Sequence, residues 1–199
     1  MKRMILLFLL ALALPMAAFA NNSVDFTNAG GTLSGSSAGL SLTGSTLIAF
    51  GSGGTVTTGT LGTIAFSTGV LSSGNLQMGA TFAGGGTFTI TGNGTNGVPN
   101  GTIFSGAFSG PVTWTLVPLA NGTHNYTLSG ALTGTWMGGA TVQGATVQLT
   151  INTGKGFFNG STTISSGDTN IVVPEPGSLT LLGTGLVGMA GVIRRKLKA

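Results

Sequence analysis

A chain of 199 residues with 37 glycines and only 5% charged residues is long enough for one domain plus processing segments and departs far from ordinary globular usage. Its formal charge of +4 sits at the ends: Lys2 and Arg3 open the chain, Arg194, Arg195, Lys196 and Lys198 close it, and residues 21–173 hold Lys155 against Asp25 and Asp168, a net charge of −1. The interior stretch cannot displace counterions from a phosphate backbone, which excludes nucleic acid as a partner, and the lack of cysteine excludes disulfides, thiolate nucleophiles and Cys-ligated metals.

Residues 1–20 read as a secretory signal peptide. Lys2 and Arg3 are the positive start, Met4 to Leu14 the apolar stretch, and Ala18-Phe19-Ala20 the small-x-small ending, so signal peptidase is expected to cut between Ala20 and Asn21. The apolar stretch is short for a permanent span and is followed at once by a polar run.

Residues 21–173 are predicted to form one Gly/Thr-rich β domain. From Ser23 to Gly62 the chain is mostly Ser, Gly and Thr, and its strands are the least marked. Beyond it the alternation has a period of two: Phe88 and Ile90 between threonines, then Val112, Trp114 and Leu116, then Tyr126, Leu128, Leu132 and Trp136 with Gly130 and Gly134 in phase, then Ala145, Val147, Leu149 and Ile151. One face is apolar and the other carries threonine. Asn93-Gly94, Asn96-Gly97, Asn100-Gly101, Asn121-Gly122 and Asn159-Gly160 supply the backbone that tight turns need, so neighbouring strands should pair antiparallel. The expectation is an all-β antiparallel sandwich or partly closed barrel of about ten to twelve short strands. A β-solenoid is disfavoured because the local echoes of Gly-Ala-Thr keep no fixed period.

Few side chains in this stretch carry chemistry. His124, the single histidine, follows Asn121-Gly122 in a predicted turn, and no nucleophile motif accompanies it, so no catalytic residue is assigned. Asp25 and Asp168 would make a carboxylate pair only if the fold brought them together. Asp168 itself, within Ser165-Ser166-Gly167-Asp168, reads as a turn rather than a calcium ligand, so no metal site and no cofactor is expected. Trp114, Tyr126 and Trp136 are either a sugar-stacking platform or core, and their shared strand parity favours the core.

The chain closes with Val173, then Pro174-Glu175-Pro176, an apolar run over residues 179–193, and the basic end Arg194-Arg195-Lys196-Leu197-Lys198. The run would reach about 22 Å as a helix, short of the roughly 30 Å hydrocarbon core unless flanking backbone dips in or basic side chains snorkel. Its basic end belongs on the cytoplasmic side, which places residues 21–173 outside. The two prolines forbid helix and hold Glu175 in extended chain before the membrane. This arrangement resembles the PEP-CTERM sorting signal of Gram-negative bacteria that make extracellular polymeric substance. The resemblance covers residues 174–199 and the residue before them, and implies recognition of Pro174, Glu175 and Pro176 by an exosortase that processes the tail.

Together the ends describe an exported precursor, anchored in the inner membrane by a C-terminal helix until processing. The function expected is a non-enzymatic surface or matrix protein associated with biofilm or exopolysaccharide. Two other functions are weighed: a glycan-binding module resting on exposed Trp114 or Trp136, and an outer-membrane β-barrel, opposed by strands too poor in apolar residues to face lipid.

Overall fold

The computed structural model describes residues 22–173, all of whose regular elements are strands. In chain order these are β1 (Asn22–Ala29), β2 (Thr32–Ser36), β3 (Gly39–Ser52), β4 (Thr55–Ser67), β5 (Leu71–Asn75), β6 (Gly79–Phe82) and β7 (Gly85–Asn93). There follow β8 (Asn100–Phe108), β9 (Val112–Pro118), β10 (His124–Trp136), β11 (Thr141–Asn152), β12 (Ser161–Thr163) and β13 (Ser166–Val173). The count slightly exceeds expectation, and the strands are not uniformly short: β3 runs for 14 residues. That strand lies in the segment with the weakest sequence signal. Leu40, Leu42 and Leu47 are buried there, and the intervening Ser, Thr and Gly residues pair with neighbouring strands.

Eight strands close on themselves in the order β1-β3-β4-β7-β8-β10-β11-β13, because β10 pairs β11 along its whole length. Every pairing given from β1 round to β13 is antiparallel, so β13 runs opposite to β1 where the two meet. Residue 22 and residue 173 therefore leave the barrel at one and the same end. At the other end the sheet forks twice. The first half of β10 turns from β8 to β9, which carries β6 and β5, and the first half of β3 turns from β1 to β2, which carries β12.

The pleat sends the apolar side of each strand inward. Phe66 and Phe88 stack at 5.8 Å, and Phe108 meets both edge-on at 5.7 and 6.0 Å. Such aromatic contacts add about 0.5–1.5 kcal/mol each beyond area burial. Gly106 and Gly134 stand opposite one another across β8 and β10, and a Cβ on either would lie 2.9 or 2.8 Å from the tip of the Phe104 ring. The glycines let the two backbones approach, with the Thr133 and Ser105 carbonyls nearest to the missing Cβ atoms, and leave room for the Phe104 ring. At the forked end Trp114 and Tyr126 stack at 4.9 Å and Phe158 meets both.

Outside, hydroxyls line up strand by strand: Thr89, Ser105, Thr135 and Thr141 are directly opposite partners across β7, β8, β10 and β11. A filled apolar interior with a hydroxylated outer wall is the reverse of a membrane-spanning barrel, whose outer band must be apolar. The outer-membrane reading is corrected on that ground. No helix among the described residues is long and apolar enough to cross a membrane, and the predicted helix over 179–193 lies outside them.

Candidate functional site

The aromatic residues go first to the core. Trp114 is 1% exposed and Tyr126 is fully buried. The Trp114 indole N–H donates to the Leu76 carbonyl at 2.9 Å, and the Tyr126 hydroxyl donates to the Gln77 carbonyl at 2.7 Å while accepting from the Phe158 N–H at 3.1 Å. Trp136 is half-buried against Phe26, 6.1 Å between ring centres, where it helps close the barrel end that bears the chain termini. Neither tryptophan lays a bare face on the surface, so the sugar-stacking platform is not formed.

His124 is not in a turn. It opens β10, its backbone tied to Gly154 and Thr153, and its ring stacks on Phe157 at 4.4 Å. The turn is made by the residues before it, with Gly122 at φ +77° and Asn121 accepting from the Thr123 N–H. Neither Asp25 nor Asp168 lies on the strands and loop that hold the ring, so no acid–base relay is assembled there.

Asp168 also departs from expectation, for it lies inside β13 rather than in a turn. Gly167, Thr169 and Ile171 alternate inward, a strand pattern that the small residues Ser166 and Gly167 conceal in the sequence. Asp168 consequently points out, directly opposite Gln148 of β11. On its other side the Asn170 amide donates to the Ser23 hydroxyl at 2.9 Å, which sets the β1–β13 register. Two residues further along the antiparallel pair, Asp25 falls opposite Asp168. The only two carboxylates of residues 21–173 thus meet side by side.

Partial burial raises the Asp168 pKa above its ordinary 3.8, the Asp25 charge raises it further, and a hydrogen bond from the Thr27 hydroxyl opposes both. The pair ends a polar row of direct cross-strand partners, Thr113, Ser129, Gln148, Asp168 and then Asp25. Beside it an open groove of about 430 Å³ is lined by Thr113, Ser129, Thr146, Gln148, Asp168 and Asn170 among others. A glycosidase holds its two carboxyl groups about 5–9.5 Å apart on either side of a sugar. Here the two carboxylates stand side by side on one face of adjacent strands, Asp25 on β1 and Asp168 on β13, rather than on either side of a cleft. The arrangement can share a proton and hydrogen-bond hydroxyls. No group of three or more His, Cys, Asp or Glu that could hold a metal occurs among the described residues.

The sorting residues Pro174, Glu175 and Pro176, the basic end Arg194, Arg195, Lys196 and Lys198, and the cleavage site Ala18, Ala20 and Asn21 all lie outside the described residues. The comparison with protein families reaches the tail directly: residues 172–196 match the family model described as PEP-CTERM protein-sorting motif. The tail is a PEP-CTERM sorting motif. A PEP-CTERM motif implies an exported, membrane-anchored precursor that an exosortase processes. The match begins at Val172, within the last strand. No curated protein and no solved structure matches the chain.

Proposed function

We propose that the mature protein is a non-enzymatic structural component of the cell surface or extracellular matrix, released into that setting by tail processing. The observation that carries this reading is the PEP-CTERM motif joined directly to a barrel whose lumen is filled with side chains. Buried apolar side chains occupy the lumen among the described residues, and the hydroxyl-bearing wall suits a polymer-rich, hydrated surrounding.

The test is replacement of Pro174, Glu175 and Pro176 by alanine, with membrane fractionation and intact mass of the recovered protein. The variant should accumulate as an inner-membrane precursor with its tail intact. Processing and surface delivery equal to the parent's would reduce the tripeptide to a spacer and remove the reading's main support.

A second reading, a glycan-binding module, draws on the polar groove rather than on the tryptophans. Its hydroxyl, amide and carboxylate lining matches the hydroxyls of a neutral polysaccharide. Retention of the protein on an insoluble neutral polysaccharide, lost in a Gln148→Ala, Asn170→Ala double variant, would favour it over a purely structural role.

A further inference from the structure

The ring of strands closes between β1 and β13, which are the first and last strands of the described chain. That junction carries the side-chain pair Ser23–Asn170 near the chain ends and the pair Asp25–Asp168 one step further in. We propose that Asp25 and Asp168 form a proton-operated latch across this seam, holding the two chain ends together more tightly when the surroundings turn acidic.

Two carboxylates facing each other on adjacent strands repel when both are ionised, and like charges directly opposite destabilise a strand pair. One proton turns the repulsion into a hydrogen bond between the carboxyls. Among the described residues no cation relieves the pair. The elements packed against it offer Ser23 and Thr27 from β1, Thr146, Gln148 and Thr150 from β11, and Gly51 from β3, none of them charged. Among the described residues the remaining titratable groups are Lys155, His124 and Tyr126. His124 and Lys155 lie at the forked end, and Tyr126 is buried inside the wall.

The sign follows from proton linkage. The folded Asp168 carboxyl holds its proton to a higher pH than the unfolded one, whose ordinary value is 3.8. The stabilisation is therefore fully present below that ordinary value and is lost as pH rises through the raised folded one. Above the window Asp168 is ionised beside Asp25 and the seam is at its weakest. Val173, from which the sorting tail departs, ends the strand that the latch holds.

The experiment uses the full chain extracted in detergent, with melting followed by circular dichroism and with amide exchange, across about pH 4 to pH 7. The parent should melt about 1–3 °C higher at the acid end, with slower exchange in β1 and β13, as expected for relief of one like-charge pair in a domain of this size. Asp168→Asn and Asp25→Asn should each raise the neutral-pH melting point and flatten the profile. Each removes the pair from a different strand, so a folding failure in one leaves the other informative. An Asp168→Asn variant that keeps the parent's full pH dependence overturns the latch. So does a profile that calcium abolishes and a chelator restores, because the seam would then be held by metal rather than by a proton.

Discussion

Tyr126 and Trp114 stack at 4.9 Å with their rings 15° from parallel, and each donates its polar hydrogen to one of two consecutive carbonyls, Gln77 and Leu76. The pair ties the β5–β6 turn down onto β9 and β10. A hydroxyl and an indole N–H that would otherwise be buried without partners complete the backbone bonding of that turn.

Tyr126→Phe keeps the ring and removes the hydroxyl, leaving the Gln77 carbonyl and the Phe158 N–H without this partner. It is expected to cost about 1–3 kcal/mol. Trp114→Ala should cost about 3–5 kcal/mol through the cavity it opens. Denaturant unfolding of the two proteins checks both values and their order.

Ala at Gly134 or Gly106 should destabilise by about 3 kcal/mol, because the new methyl group runs into the backbone carbonyl of Ser105 or Thr133 across the strand pair as well as into the Phe104 ring. Combining Gly134→Ala with Phe104→Leu should recover little of the loss, since the backbone cannot step aside. Near-additivity in the double-mutant cycle is the readout, and a large coupling would mean that the ring rather than the backbone is the main obstacle.

His124→Ala should leave surface delivery and any role of the domain unchanged. It removes a stack on Phe157 and is expected to lower stability by about 1 kcal/mol or less. A large loss of function in a protein with an unchanged circular dichroism spectrum would restore the enzyme hypothesis. The same spectrum should be indifferent to chelators.

Removing residues 174–199 should leave export intact and turn the domain into a freely released protein. This outcome follows if residues 1–20 direct secretion by themselves and the apolar run over residues 179–193 with its basic end retains the precursor. Cell fractionation decides this, and a truncated protein that stays with the membrane would place an anchor elsewhere.

The turns at Gly94, Gly97 and Gly122 were legible because they are local: all three take positive φ, and Asn96 joins them at 53°. Asn100-Gly101, expected as a turn, instead opens β8, where Asn100 pairs with Asn93 and Gly101 with Gly92. The inward faces of β7, β9, β10 and β11 were legible for the same reason, since a period of two needs no knowledge of the partner strand. The strand at Asp168 is concealed because Ser165, Ser166 and Gly167 carry turn chemistry by composition, while pairing with β11 holds Ser166 and Gly167 extended.

The amino-acid sequence by itself determined the PEP-CTERM tail, the all-β class and which side chains face inward, because each is written in contiguous residues. The tertiary structure alone decided that β10 meets β11, that β1 meets β13, and that Asp25 and Asp168 therefore stand together. A sandwich and a barrel have the same alternation. What separates them is which distant strands pair and in what register, a matter of chain closure and packing over the whole domain rather than of any segment.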